Sequence, residues 1–264
     1  MYPWGDARPY HSYAAYCRRT FGRPIQKLPV DGGFTCPNRD GRKGRGGCTF
    51  CSARGSGDFT RGPLPIKRQF DEMREILHRK WPKAGYIAYF QAYTNTYGAT
   101  PYLAACYEEA LAHEGVVGLI IGTRPDCMPP DLLAYLSDLA RDRYLMVEYG
   151  IESTCDETLA RVNRGHDYAS AVDAVRRTAE AGIPVGAHMI LGLPGESRET
   201  ILSHAGRLSV LPLTMVKLHQ LQLIRGTRLA QEYEQGLADI YPYTVTEYVD
   251  LAIDFIERLR PDIV

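Results

Sequence analysis

Cys36, Cys48 and Cys51 fall on one stretch, FTCPNRDGRKGRGGCTFCS (34–52), with eleven residues between the first two and two between the last pair. The intervening residues are Gly-rich and basic and show no apolar periodicity. Such a segment has no core of its own to pack and reads as a loop. A Gly- and Arg-bearing insertion can fold back to set Cys36 beside the close pair. Three thiolates are one short of a closed tetrahedral zinc site. They are also one short of the four that normally hold a [4Fe–4S] cluster, where the shortfall leaves one iron an open position for a small ligand. A zinc site completed by a distant His or Asp, and cysteines without any ligand, are the competing readings.

Such a loop needs a scaffold, and the rest of the chain supplies the pattern of one. Runs of strand length and strand composition occur at 25–30, 86–91, 116–122, 144–151, 185–192 and 215–224. Amphipathic helical stretches alternate with them at 66–81, 101–113, 130–141, 170–182, 199–211 and 245–260. Pro101 and Pro130 suit first-turn positions and Gly182 a helix end. Strand–helix units in series imply an α/β fold with a parallel sheet and helices outside. Right-handed crossovers curl such a sheet, and six units instead of eight predict a partial (βα)6 barrel. A flat doubly wound sheet is the alternative. Either way, ligands gather at the C-terminal ends of the strands, where the cysteine loop follows the first of them.

No apolar run approaches the ~18 residues of a membrane span, and the N-terminus lacks the apolar stretch of a secretory signal. The expected location is therefore the cytoplasm, with no membrane partner, where clustered thiols stay reduced. Net charge is zero but unevenly spread: residues 1–68 hold 13 Lys/Arg against 4 Asp/Glu, and the remainder 18 against 27. The basic part carries the cysteine loop, so it reads either as a surface for a phosphate-rich partner or as a solvated face.

The trio ending Cys48-Thr49-Phe50-Cys51, after the first strand of a six-unit barrel, resembles the radical S-adenosylmethionine (SAM) superfamily. The long first gap departs from that superfamily's usual C-x3-C-x2-C. It resembles the branch of the Elongator-like and YhcC/YtqA-like proteins. FQAYTNTYG (90–98), IGTRPDCMP (121–129), VEYGIESTCDETLARVNRGHD (147–167), ILGLPGES (190–197) and KLHQLQLIRGTRLA (217–230) support that branch. The resemblance covers nearly the whole chain, as a single radical SAM core domain over 1–264 with a cluster loop at about 34–60. Relatives of this kind run somewhat longer, which implies a short or missing C-terminal extension.

The resemblance implies a [4Fe–4S] cluster held by Cys36, Cys48 and Cys51, with SAM on the open iron. It implies one-electron cleavage of SAM to methionine and a 5′-deoxyadenosyl radical, which abstracts hydrogen from a substrate. It implies a reducing electron donor such as flavodoxin or ferredoxin. It also points to tRNA as partner, with the C5 side chain of a wobble uridine as the group attacked. A small metabolite, a protein side chain, or a metal-binding module without turnover are the other readings.

Residue by residue, the resemblance places Phe50 near the adenine, and Gln91, Thr94 and Asn95 near the methionine amino group. It places Glu152 on the ribose, Arg164 on the SAM carboxylate, and Gly192 where backbone approaches the adenine. The Gly-Gly-Glu segment usual in related enzymes after the second strand is missing here. From position alone, Thr123, Arg124 and Asp126 project from the third strand toward the cavity. There Arg124 binds an anion or pairs with Asp126, and Cys127 reads as a passive buried thiol. Glu148 lies in-facing on the fourth strand and must face ligand or Arg, or else titrate; Glu148 and Asp126 are both expected among the cofactor contacts. His188 and His219 read as hydrogen-bonded core histidines or substrate contacts.

Overall fold

The computed structural model describes residues 2–55, 57, 60, 62 and 64–264. Ser56, Asp58 and Phe59 of the expected cluster loop, and Met1 of the expected domain, lie outside the described residues. The elements run α1 (Tyr13–Phe21), β1 (Ile25–Val30), α2 (Ile66–Lys80), β2 (Gly85–Phe90), α3 (Thr100–Leu111), β3 (Val116–Thr123) and a 3-10 turn (Pro125–Cys127). They continue α4 (Pro130–Asp142), β4 (Tyr144–Glu152), α5 (Asp156–Arg161), α6 (Tyr168–Glu180), β5 (Val185–Leu191), α7 (Arg198–Ser209), β6 (Met215–Gln220), α8 (Arg228–Glu234) and α9 (Val245–Glu257).

The six strands pair in parallel in chain order, β1 to β6. A doubly wound sheet reverses its strand order at a switch point; this one does not, and the partial barrel is what forms. Contacts across the interior show the curl. Lys27 on β1 reaches Glu148 on β4 at 2.5 Å, and the Lys217 ammonium on β6 lies 5.4 Å from the Tyr89 ring centre on β2. In a flat sheet those pairs of strands stand roughly 14 and 19 Å apart.

Alternation along the strands divides the core. Leu28, Val30, Ala88, Phe90, Leu119, Ile121, Leu145, Val147 and Ala187 face outward and pack on Phe70, Leu103, Tyr107, Leu136, Val175 and Ile201 from the helices. The inner face is apolar at its base, where Ile25, Ile87, Ile120, Met146 and Met215 meet Cys17 of α1. Helix α1, absent from the sequence-based expectation, closes that end. Ser12 caps it, and Tyr16 Oη meets Tyr144 Oη at 3.2 Å. Its apolar face is carried by aromatics and Ala, which read as no clear helical stripe. Asp167 caps α6, which therefore starts two residues before the expected 170. The expected strand 215–224 stops at Gln220, because β6 has only β5 beside it and Leu221 N gives β5 a last bond, to Leu191 O.

Above the apolar base the inner face turns polar. Glu148 is 1% exposed; Lys27 Nζ meets its Oε1 at 2.5 Å and His188 Nε2 its Oε2 at 2.8 Å. Burial works to raise this carboxyl, but the Lys27 ammonium and the His188 hydrogen bond outweigh it and hold it well below the ordinary carboxylate range. A depressed carboxyl stabilises the fold at neutral pH and loses that contribution as pH falls below the ordinary value of about 4. Breaking a buried pair on one side leaves an uncompensated charge and costs about 3–5 kcal/mol. Lys27→Met is therefore expected to lower stability to urea by about that much, and the K27M/E148Q double variant to recover most of it. Equal losses in both would show that the pair does not join the strands.

Candidate active site

The cysteine loop is fixed by neighbours on both flanks. Thr49 N donates to Val162 O behind α5, and Leu229 N of α8 donates to Thr49 O, each at 2.9 Å. Asn38 Nδ2 donates to Asn163 O at 2.6 Å and lies 3.8 Å from Cys48 Sγ; Asn163 Nδ2 donates to Gly47 O at 2.7 Å. Cys51 N closes a turn onto Cys48 O at 3.0 Å. Arg39 reaches across the loop: its Nη2 is 3.2 Å from Cys51 Sγ and also donates to Ser52 O, while its guanidinium covers the Tyr93 ring at 5.5 Å. Burial pushes the Cys51 thiol up, and Arg39 works against it. Cationic donors around sulfur favour the thiolate that a metal requires.

Arg164 joins this loop to β4. It is buried, its Nη1 lies 3.6 Å from Cys48 Sγ, and its Nη2 donates to Gly150 O at 2.5 Å and stands 3.6 Å from Glu152 Oε1. Burial opposes its charge, but Cys48 and Glu152 more than restore it, so the guanidinium is held charged. Its Nε–H is buried with no hydrogen-bond acceptor among the described residues. Gly150 makes the placement possible: a Cβ there would stand 2.5 Å from Glu152 Oε1 and 2.7 Å from Arg164 Nη2. Glu152 takes φ +70° where the β4–β5 register shifts. A non-glycine residue in that region costs of order 1–3 kcal/mol and persists where the surroundings demand it.

Arg124 clamps the neighbouring strand end. Its Nε and Nη2 donate to Asp126 Oδ1 and Oδ2 at 2.9 and 3.0 Å, and its Nη1 donates to Arg164 O at 2.8 Å. Lys43 of the cysteine loop adds a pair to Asp126 at 2.6 Å. Cys127 is pushed up to about 12 by burial and the Asp126 charge, an unreactive thiol in keeping with its reading as passive. His166 is pushed down to about 3 by burial and the Arg164 charge.

These elements enclose a cavity of about 380 Å³ at the C-terminal ends of the strands. Of the residues proposed from sequence, Cys36, Cys48, Cys51, Phe50, Gln91, Thr94, Glu148, Glu152 and Arg164 line it. So do Thr123, Arg124, His188 and His219. Asp126 does not: its carboxylate is spent on Arg124 and Lys43, so it fastens the loop and touches no ligand space. Gly192 lies in a separate small cavity, against the Tyr243 ring. Glu148 is on the wall, but each of its oxygens already has a cationic or imidazole partner, which makes it an anchor of that wall instead of a SAM contact. Sequence reasoning passed over Arg39, Asn38, Tyr89 and Lys217. For the last, the available signal was a lysine at an in-facing position of a short strand, MVKLHQ.

The residues present fit an iron–sulfur cluster and SAM. Three cysteines share one cavity with two guanidiniums against their sulfurs, and Arg164 Nε–H and Thr94 Oγ1 are buried there without partners. Buried polar atoms without partners are rare and point to a ligand. Among the described residues no three His, Cys, Asp or Glu side chains are grouped as ligands of one ion; a cubane asks instead for one thiolate per iron. Gly150→Ala is expected to displace Arg164 and Glu152, weakening SAM binding at least tenfold by equilibrium dialysis while iron content after reconstitution stays at the parent level. Unchanged SAM affinity would remove Arg164 and Glu152 from the site.

Residues 38–208 match the Radical SAM superfamily, and residues 213–264 match the Radical_SAM C-terminal domain. The chain is 38% identical over 265 residues to the uncharacterized protein YtqA of Bacillus subtilis, covering 100% of this chain and 82% of that protein. It is 28% identical over 148 residues to the tRNA uridine(34) acetyltransferase of Methanocaldococcus infernus, covering 55% of this chain and 27% of that protein. Among solved structures, Methanocaldococcus infernus Elp3 superposes with a TM-score of 0.66 at 17% identity, over 90% of this chain and 55% of that one, a likeness of fold. Cavity, cysteine loop and sequence agree: the chain belongs to the radical SAM superfamily, in a YtqA-like, Elongator-related branch, and is an enzyme that uses a [4Fe–4S] cluster and SAM.

Proposed function

We propose that this enzyme acts on the C5 side chain of a wobble uridine in tRNA. The observation that carries the reading is the charge on the loop that supplies the cysteines: Arg42, Arg45 and Arg54 are exposed beside a cavity whose wall that same loop forms. Exposed guanidiniums flanking a reaction cavity suit a phosphate backbone that must be positioned while one base enters. The partial match to a protein named as a tRNA uridine(34) acetyltransferase supports the same substrate class.

On this reading Cys36, Cys48 and Cys51 hold three irons, and Arg39 and Arg164 stabilise the anionic sulfurs. Arg164 offers its unpartnered Nε–H to the SAM carboxylate, Glu152 accepts the ribose hydroxyls, and Phe50 lies against the adenine. Thr94 and Gln91 approach the methionine amino group from the end of β2. When bound, the cluster and SAM would supply the one-electron radical chemistry needed to remove a hydrogen atom from a carbon of the uridine side chain. The protein's share is to position that carbon and to exclude water. A low-potential one-electron donor such as flavodoxin or ferredoxin completes the requirement.

Fluorescence anisotropy with an anticodon stem-loop RNA tests the substrate class. Affinity is expected to fall steeply with salt, and the triple substitution of Arg42, Arg45 and Arg54 by Gln to flatten the log–log slope by about 2–3. Weak binding that ignores salt would overturn the RNA reading.

A further inference from the structure

The chain between Cys36 and Cys48 is longer than the return to the close cysteine pair requires. Arg39 N and Asp40 N both donate to Cys36 O, at 2.8 and 3.1 Å, and Gly47 N donates to Asn38 O at 2.9 Å. Asn38 and Gly47 are therefore neighbours, and residues 39–46 are an excursion from a loop already closed. The excursion is ordered by a bridge between Asp40 and Arg45 and by the 2.6 Å pair of Lys43 with Asp126. At its root stands Arg39.

The side chain of Arg39 turns back over the cysteines. Its Nη2 lies 3.2 Å from Cys51 Sγ, the shortest of three nitrogen–sulfur contacts at the trio; Arg164 and Asn38 stand 3.6 and 3.8 Å from Cys48 Sγ. The same guanidinium donates to Ala53 O at 3.4 Å and to Ser52 O. These partners are carbonyls and a sulfur, with no carboxylate among the described residues to neutralise the charge.

A second device holds it there. The Arg39 guanidinium covers the Tyr93 ring at 5.5 Å, and Tyr93 Oη donates to Ala53 O at 2.8 Å. Tyr93 takes φ +60°, held by a bond from its N to Gly55 O at 2.7 Å. Glycines clear the space: a Cβ on Gly55 would stand 2.2 Å from the Tyr93 ring, and one on Gly47 3.0 Å from Arg39 Nε. A strained backbone at Tyr93 persists because these surroundings demand it. The potential of an iron–sulfur cluster is set by net charge and by hydrogen bonds to its sulfurs.

We propose that Arg39 sets the reduction potential of the cluster, donating to the Cys51 sulfur and favouring the reduced form, which carries one more negative charge. In the step concerned one electron arrives from the external low-potential donor, no bond forms or breaks, and no proton moves. Tyr93 is the positioning residue that keeps the guanidinium on the sulfur. The excursion at 39–46 thus lets a weaker one-electron donor reduce the enzyme than the cysteines alone would need. This stands apart from the tRNA reading and needs only the cluster.

An EPR-monitored redox titration of the anaerobically reconstituted enzyme without SAM tests it. In Arg39→Gln, with iron at the parent level, the reduced-to-oxidised ratio at a fixed potential is expected to fall about tenfold, the low end of a hydrogen bond to a charged group. That corresponds to about 59 mV for one electron. Tyr93→Leu is expected to shift the potential in the same direction by less, and Arg54→Gln, an exposed charge of the same loop, to leave it at the parent value. A parent-like potential in fully loaded Arg39→Gln, or an equal fall in Arg54→Gln, would overturn the proposal. If Arg39→Gln takes up no iron, Tyr93→Leu decides: a lowered potential retains the proposal and a parent-like one ends it. Failure of both variants to hold iron would make Arg39 a support of the loop and also end it.

Discussion

The pair between Lys27 and Glu148 is the interaction on which the site depends. It joins the first strand to the fourth across the interior, at 2.5 Å with the carboxylate 1% exposed. Two charges in such a place are costly to hold and more costly to separate. Everything above them inherits their position: His188 is oriented by the same carboxylate, His219 by His188, and Tyr89 lies beneath both lysines. The apolar base below the pair, closed by α1, keeps water from that end. The barrel is curled, and polar inside only in its upper part, because these residues alternate along short strands.

A second set of constraints holds the cysteine loop, which has no core of its own. Its fixed points are backbone bonds to α5 and α8, the Lys43–Asp126 pair, and Arg39 over Tyr93. Among the described residues, two of the three non-glycine residues with positive φ, Tyr93 and Glu152, line the cavity, and the third, Asn163, bonds the loop. Local strain concentrated at one site is tolerated because the surroundings over-determine it. Arg164 shows the economy of the design: one guanidinium touches a cysteine sulfur, a strand carbonyl and a carboxylate, and still has a buried N–H without an acceptor among the described residues. Gly150 leaves the room it needs.

The six strands and their intervening helices were legible because period-2 and period-3.6 patterns are imposed by burial on two sides of each strand and one side of each helix. The cysteine trio was legible because its residues lie close in the chain. What the sequence hid were relations between distant residues. Nothing local says that Glu148 will meet Lys27 rather than SAM, or that Asp126 will be consumed by Arg124 and a loop lysine. Lys217 sat unremarked in a strand for the same reason: an in-facing lysine has meaning only once the opposite wall is known. Helix α1 and the early end of β6 were missed because an aromatic-rich helix and an apolar edge loop both break the simple patterns.

Production of 5′-deoxyadenosine by the anaerobically reconstituted, reduced protein with SAM and tRNA tests the central claim most directly, with Cys48→Ala as control. The account predicts formation in the parent and none in the variant. Equal formation in both, or a parent that carries its cluster and tRNA yet leaves SAM intact, would contradict it.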